Sequence, residues 1–472
     1  MPASASELSA STYLSEPQLL FANGCVDTHP LRGLVGSGPY SSDLAYPKSV
    51  RIAFFAPAAA MARLDALVGE LSAASKVRDA PNYYLDYPGF QRAFRIPLVP
   101  PSQNLRTEAP PVCAEHALSG NGAGLAHEIG AALGRLIRNR SNFDVLLIFL
   151  PNAWERAFKA EGFDLHHQLK AELAPAGVAV QIVKEKTEQR DRAQVMWGIS
   201  VALYAKAGGI PWKLVDHARD EAYIGLSYAM KQHKSGAEYT TCCSQVFDPD
   251  GTGFEFVAFD TRDFTTDRQG NPFLSYTEMQ AVLSRSLLLY QNGHRGRTPR
   301  KIYVHKTTLF TPDEILGAHD AFGGRTELEL IQVVRSHNWY GLKWPAPRNG
   351  GSPVPDNYPV DRGLYLPISP NECLLWTQGS VTGVNPRDAT KPVFKDAPLK
   401  PLPHPILLRR FSGASGWHDT CQTTLSLTKV DWNNNTLYKT LPATLVYSSL
   451  FADVVKNNPE IVDQVYDYRF FM

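Results

Sequence analysis

The sequence predicts an α/β protein in two unlike halves. Between residues 49 and 207, short apolar runs alternate with amphipathic helical runs. That is the pattern of parallel strands joined by helices on both faces of one sheet. From residue 222 onward, three strand-like runs follow one another before helix and strand alternate again, the pattern of a mixed sheet. Between the two lies Tyr204-Ala205-Lys206-Ala207-Gly208-Gly209-Ile210-Pro211-Trp212-Lys213-Leu214, where a helix runs into a glycine pair.

Each element follows from its pattern. Residues 1–45 are rich in Ser, Gly and Pro with apolar islands such as Leu19-Leu20-Phe21, and they read as an extended arm. The first domain then occupies 46–206. Ser49–Ala56 is a strand, Met61–Ser75 a helix, and Phe94–Val99 a second strand. Residues 100–112 carry four prolines and read as loop. Leu125–Arg138 is helical, Asp144–Leu150 a buried strand, Ala153–Leu173 a helix, Val178–Val183 a strand and Arg190–Ala207 a helix, which makes this domain Rossmann-like. The second domain occupies 207–472. Ala222–Met230, Tyr239–Phe247 and Phe254–Asp260 are strands, the last two joined by a turn over 248–253. Tyr276–Gln291 is a helix, Lys301–His305 a strand, Pro312–Ala321 a helix and Leu328–Arg335 a strand. Three antiparallel strands followed by helix, strand, helix and strand is the order of an RNase H-like domain. Residues 344–404 are rich in Pro, Gly and Asn, with a hairpin at Leu364–Ile368 and Glu372–Thr377.

A chain of 472 residues accommodates two or three domains, and 44% hydrophobic and 11% aromatic residues supply packed cores. The net charge of +1 excludes a global basic field, so any nucleic-acid site must be a local channel. The cysteines at 25, 113, 242, 243, 373 and 421 form no CxxC pair and read as reduced thiols. The N-terminus lacks the basic and apolar regions of a signal peptide, and no run of about 18 apolar residues occurs. The expected location is cytoplasmic.

Chemistry concentrates around the glycine pair. His166 and Lys170 are four apart on one helix, so they share a face. Gln181 lies on the next strand, and Lys206 near the end of the helix after it. Two ammonium groups, an amide and an imidazole together suit a terminal phosphate. Strand ends in an open α/β sheet are where such ligands bind. Lys184, Lys186, Arg190 and Arg192 flank the strand of Gln181, and His294-Arg295-Gly296-Arg297-Thr298-Pro299-Arg300-Lys301 is a basic loop. Each is either a solvated face or a backbone contact to nucleic acid. Gly120-Asn121-Gly122-Ala123-Gly124 follows no clear strand and is succeeded by no Gly-Lys-Ser/Thr, so it reads as a helix entry.

On these residues the chain resembles a short prokaryotic Argonaute, a protein of MID and PIWI domains without N and PAZ domains. In that family a Tyr-x-x-x-Lys pair, a later Gln and a further Lys hold the guide 5′-phosphate. His166, Lys170, Gln181 and Lys206 stand at those positions, with His166 in place of Tyr. The Gly-Gly-Ile-Pro-Trp-Lys-Leu segment and the opening motifs Glu16–Phe21 and Gly36–Tyr40 are also similar. The resemblance implies a Mg2+ shared between the guide phosphate and a C-terminal carboxylate, here that of Met472, since two anions brought together need a cation between them.

The resemblance also places three metal ligands of the PIWI site at Ser227 (in Gly225-Leu226-Ser227), Thr307 (in His305-Lys306-Thr307) and Ser449. Two-metal cleavage needs carboxylates around both ions, and neutral hydroxyls are poor ligands for hard cations. The expectation is therefore an inactive PIWI domain; rescue by Asp260, Asp263 or Glu314 is the alternative, an active metal-dependent endonuclease. A phosphate-ligand protein without nucleic acid is a further alternative. The family implies a guide RNA, a single-stranded DNA target from plasmid or phage, and an APAZ-containing effector subunit. That effector would be sirtuin-like by first choice, otherwise a TIR domain or a nuclease, and it would act in defence through NAD depletion.

Overall fold

The computed structural model describes residues 10–79, 83–186, 190–215, 220–233, 236–245, 255–261, 263–324, 326–344, 351, 359–385, 390–391, 403–433, 436–457 and 465–472. The α/β class and both halves are as the sequence predicts. In the first half, β1 (Val50–Ala56) leads into α1 (Met61–Ser72), and short strands β2 (Leu98–Val99) and β3 (Arg106–Glu108) both pair with β1. Then come α2 (Gly122–Arg138), β4 (Val145–Leu150), α3 (Leu165–Leu173), β5 (Ala179–Lys184) and α4 (Arg192–Lys206). The sheet is parallel, with β4 between β5 and β1.

Strand periodicity sorts the side chains onto two faces. Ile52, Phe54, Leu147 and Phe149 share a core with α1 and α4. Ala53, Phe55, Leu146 and Ile148 pack with α2 and α3 on the other side.

The second half begins with β6 (Glu221–His233), β7 (Gly236–Gln245) and β8 (Glu255–Thr261), followed by α5 (Tyr276–Gly293), β9 (Lys301–Lys306), α6 (Pro312–Phe322) and β10 (Glu327–Val334). A further run, β11 (Leu364–Ser369), β12 (Glu372–Leu375) and β13 (Ile406–Ser412), widens the sheet, and α7 (Trp417–Leu427), α8 (Ala443–Asn457) and β14 (Val465–Asp467) close the chain. The sheet runs β11-β12-β13-β10-β9-β6-β7-β8-β14, with the arm strand Thr12–Tyr13 beside β11. Strands β6, β9 and β10 are parallel and the remaining pairs antiparallel. Helix α8 lies so close over β6 that a Cβ at Gly225 would run into the Thr444 carbonyl.

The arm is stitched to the body. Leu19–Leu20 pairs with Lys213–Leu214, and Glu16 binds Lys429 at 2.6 Å and Arg362 at 3.0 Å. One continuous core joins the halves, taking in Trp197 and Tyr204 of α4 together with Trp212, Tyr223, Trp432, Phe451 and Phe471. Among the described residues no helix is long and apolar enough to cross a membrane.

Three sequence expectations change. The helix read as Ala153–Leu173 is a 3-10 turn (Asn152–Ala157), a tight hairpin pairing Lys159–Ala160 with Phe163–Asp164, and a helix only from Leu165. Gly162 takes the left-handed backbone that turns the hairpin, and Asp164 caps the new helix start. The strand expected at Phe94–Val99 is a helix over Phe90–Phe94 and a two-residue strand. The prolines at 110 and 111 open a helix, Pro111–Ser119, which Gly120 ends in the left-handed region. Asn121 then caps α2 by accepting from the Gly124 amide at 2.9 Å. The turn at 248–253 and the end of the strand at 246–247 lie outside the described residues.

The Gly225–Thr444 approach is testable. Gly225→Ala is expected to cost about 1–3 kcal/mol of stability through overpacking against backbone, read as a fall in the denaturation midpoint. Gly293→Ala, where an added Cβ meets nothing, is the matched control and should leave the midpoint unchanged or slightly raised. Equal effects at the two sites would refute this account of the packing.

Candidate anion-binding site

Helix α3 positions the first two candidate residues. Asp164 caps it, accepting from the amides of His166 at 2.9 Å and His167 at 3.4 Å, and holds Lys159 at 2.9 Å. One turn on, Lys170 points inward and is 3% exposed. Its Nζ donates to the Phe471 carbonyl at 3.0 Å, a contact 301 residues away in sequence. Lys206, at the end of α4, is also 3% exposed, and its Nζ donates to Gln181 Oε1 of β5 at 2.7 Å.

Two ammonium groups thus share one buried place. Burial pushes Lys170 down to about 7. Burial, then the charge of Lys170, holds Lys206 well below the usual lysine range. His166 is held well below the usual imidazole range by burial first, then by Lys170, His167, Lys206 and Lys184. Lys184 itself lies over the Phe158 ring at 5.2 Å. Among the described residues, neither Lys170 nor Lys206 forms an ion pair with a carboxylate; a carbonyl and an amide oxygen meet them instead. Buried charge without a counter-ion is costly, so the arrangement favours an incoming anion with several acceptor oxygens.

The structure therefore brings Lys170, Lys206, Gln181 and His166 together and adds Met472, which is 1% exposed and follows the carbonyl that Lys170 holds. The roles of Asp164 and of the Phe471 carbonyl were not read from the sequence. Asp164 carried a signal, a capping residue before an apolar-periodic run; the carbonyl carried none. Asp164, His166 and His167 place three ligand atoms within 4.8 Å of one another. Two imidazoles and a helix-capping carboxylate beside lysines are a nitrogen-rich set, unlike the oxygen shell of Mg2+. The side-chain oxygen placed among these lysines is Gln181 Oε1, so a Mg2+ here would take most of its oxygens from the bound anion.

Of the flanking cations, Lys186 pairs with Glu155 at 2.6 Å and Arg192 with Glu70 at 2.5 Å. The basic loop at 294–300 lies before β9, at the amino ends of the parallel strands. Its Arg300 is engaged by Asp220, Glu221 and Glu327.

The three hydroxyl positions lie away from that end: Ser227 midway along β6, Thr307 just beyond the carboxyl end of β9, and Ser449 on α8. Ser227 Oγ is 2.8 Å from Ser448 Oγ and 3.4 Å from Ser449 Oγ. Thr307 follows Lys306, the register partner of Leu226, so it leaves the neighbouring strand beside Ser227. Glu314 is fully buried against Lys306 and caps α6 through Thr311. Asp260 lies on β8, separated from the strand of Ser227 by β7.

The lysine pair has a pH signature. A folded-state value below the unfolded one means that the unfolded chain binds more protons, so stability rises with pH. For Lys170 the window runs from about 7 to the ordinary range near 10.4; below it the contribution is flat. Raising the pH from about 7 to about 9 is expected to stabilise the ligand-free protein by on the order of 1–2 kcal/mol in chemical denaturation. Lys170→Met should reduce that slope, and an unchanged slope would mean that the burial of Lys170 is not its source.

No known family model and no curated protein matches the sequence. The backbone, however, is similar to solved Argonaute structures. One is the Clostridium butyricum Argonaute bound to a guide DNA and a 19-mer target DNA, with TM-score 0.66 and 16% identity over 98% of this chain and 55% of that chain. Another is Aa-Ago with externally bound siRNA, with TM-score 0.61 and 16% identity over 98% and 56%. A third is the A. aeolicus Argonaute, with TM-score 0.59 and 15% identity over 98% and 56%. The chain spans about half the length of the structures it matches, and at these identities the likeness is one of fold.

Proposed function

We propose that this chain holds the 5′-phosphate of a guide strand at His166, Lys170, Gln181 and Lys206, uses the guide to recognise a complementary strand, and leaves that strand uncut. The observation that carries the reading is the pair of buried lysines with no carboxylate partner among the described residues. A terminal phosphate supplies the missing negative charge and enough acceptors for both ammonium groups, the Gln181 amide and the imidazole. Mg2+, held by a carboxylate at Met472 and Gln181 Oε1, would offset the crowding of two anions. Guide RNA and a single-stranded DNA target are the strands the resemblance implies, with sequence read by base pairing and the protein holding backbone and shape.

Restraint from cleavage rests on the donor set around Ser227 of β6 and Thr307 after β9. Ser227, Thr307 and Ser449 are neutral, Ser227 is engaged with Ser448, and Glu314 is committed to Lys306. Two hard cations lack the carboxylates they require there. A chain that binds a target without cutting it needs an effector. The reading assigns that task to a separate APAZ-containing subunit, sirtuin-like, TIR-bearing or nuclease, in a cytoplasmic defence role that ends in NAD depletion or strand attack.

The pocket is tested by comparing guides with and without a 5′-phosphate. Lys170→Ala with Lys206→Ala should weaken binding of the phosphorylated guide by roughly 100- to 10,000-fold, two charge-assisted contacts at about 1.5–3 kcal/mol each, and the 5′-hydroxyl guide only a few-fold. Equal losses would remove the phosphate assignment. In a second assay, guide-loaded protein with Mg2+ or Mn2+ should retain a complementary target intact. Guide-dependent cutting at a fixed target position, abolished by a substitution at Ser227 or Thr307, would establish an active endonuclease instead.

A further inference from the structure

An aromatic strip follows the edge of the large sheet on which Ser227 and Thr307 lie. After β10 the chain runs irregularly from Arg335 to Trp344. Trp339, Tyr340, Leu342 and Trp344 are 42%, 58%, 53% and 54% exposed. Trp339 and Trp344 are the exposed tryptophans among the described residues. Nothing about this run is loose. His337 Nε2 donates to the Pro405 carbonyl at 2.8 Å, and the Trp339 amide donates to His337 Nδ1 at 3.2 Å. Gly341 lies against the Trp376 ring, where a Cβ would come within 2.7 Å, and Lys343 binds Asp361 at 3.0 Å. The small and charged residues therefore face the body, and Tyr340, Leu342 and Trp344 between and beyond them face solvent. This inverts the usual preference for burying large apolar side chains, and such a patch marks a binding surface.

Its course points to the occupant. The strip leaves the carboxyl end of β10, where Gln332 Nε2 donates to the Thr307 carbonyl at 3.0 Å. It then passes Pro405 before β13, Trp376 after β12 and Asp361 before β11, along one edge of the sheet. Three of its four outward side chains are aromatic, and the His404 ring sits 4.4 Å from that of Tyr340. Arg335 is exposed at its head. The outward area of four half-exposed side chains is roughly 400 Å2, short of the about 800 Å2 per partner of a stable protein interface. Solvent-facing aromatic rings close together in the chain suit unpaired bases, which stack on aromatic side chains whatever their identity.

We propose that Trp339, Tyr340 and Trp344 form a stacking platform for single-stranded nucleic acid, the unpaired continuation of a target strand beyond its pairing with the guide. The platform's place in target binding rests on the guide reading above; its chemistry does not.

Two measurements separate the two. Oligothymidylate of roughly twelve nucleotides, within the span of known single-strand sites, should quench the indole fluorescence of the protein without any guide. The Trp339→Ser, Trp344→Ser variant should lose that quenching. Guide-loaded protein should bind a target with an unpaired extension about tenfold more tightly than one without. The gain should vanish in the serine variant and largely persist in Trp339→Phe, Trp344→Phe, with guide affinity equal in all three. A serine variant that keeps both the quenching and the gain overturns the proposal. So does one that leaves nucleic-acid binding alone and instead changes the sedimenting mass, since the face would then serve a protein contact. If no guide binds at all, the guide reading fails, and oligothymidylate quenching alone decides this one.

Discussion

Two lysines buried side by side, with no carboxylate ion pair among the described residues, are the constraint on which the rest of the site depends. A lone buried charge is normally neutralised or paired. Here Lys170 and Lys206 face a carbonyl and an amide oxygen, which satisfy donors but do not cancel charge. Every element that touches them must hold its position against that cost. Asp164 fixes the start of α3; α4 is buried from Ala193 to Lys206 along most of its surface; and the final residues bring the Phe471 carbonyl to Lys170.

The large sheet shows the complementary case, a cluster of neutral hydroxyls. Gly225 lets α8 press onto β6, and that approach gathers Ser227 of β6 with Ser448 and Ser449 of α8, while Thr307 follows the neighbouring β9. Hydroxyls at this spacing hydrogen-bond to one another. Carboxylates at the same spacing would repel unless cations lay between them. The packing therefore needs no metal to be stable with the residues present, and the two halves differ in kind: one concentrates unneutralised charge, the other is locally neutral.

Much of this was legible in the sequence, and the failures have physical reasons. His166 and Lys170 sit on one helical face because of their spacing, and Gln181 and Lys206 lie on elements whose apolar patterns are plain. The α/β class and the parallel first sheet followed from the order of strands and helices, while the strand Ile406–Ser412, which joins the hairpin to the large sheet, was not read from the sequence. The break at 158–164 was hidden because its residues suit a helix; only the left-handed backbone at Gly162 and the cap at Asp164 decide against it, and both are local energies of about 1 kcal/mol. The Phe471 contact was invisible because a backbone carbonyl has no sequence signature and its partner is 301 residues away. The basic loop at 294–300 invited a nucleic-acid reading that topology weakens: it stands at the amino ends of the parallel strands, away from the hydroxyl cluster.

The shared core explains why these parts must be considered together. Trp197 and Tyr204 of α4, Tyr223 of β6, Phe256 of β8 and Phe451 of α8 belong to one continuous apolar cluster. The final segment reinforces it, because β14 pairs with β8 at the sheet edge while Phe471, four residues on, packs against Phe256 and Phe451 and offers its carbonyl to Lys170. Interiors packed at this density transmit displacement rather than absorb it. The place held by Lys170 and Lys206 is therefore fixed relative to Ser227, Thr307 and the aromatic strip, and the distance between them is set by the packing of the protein.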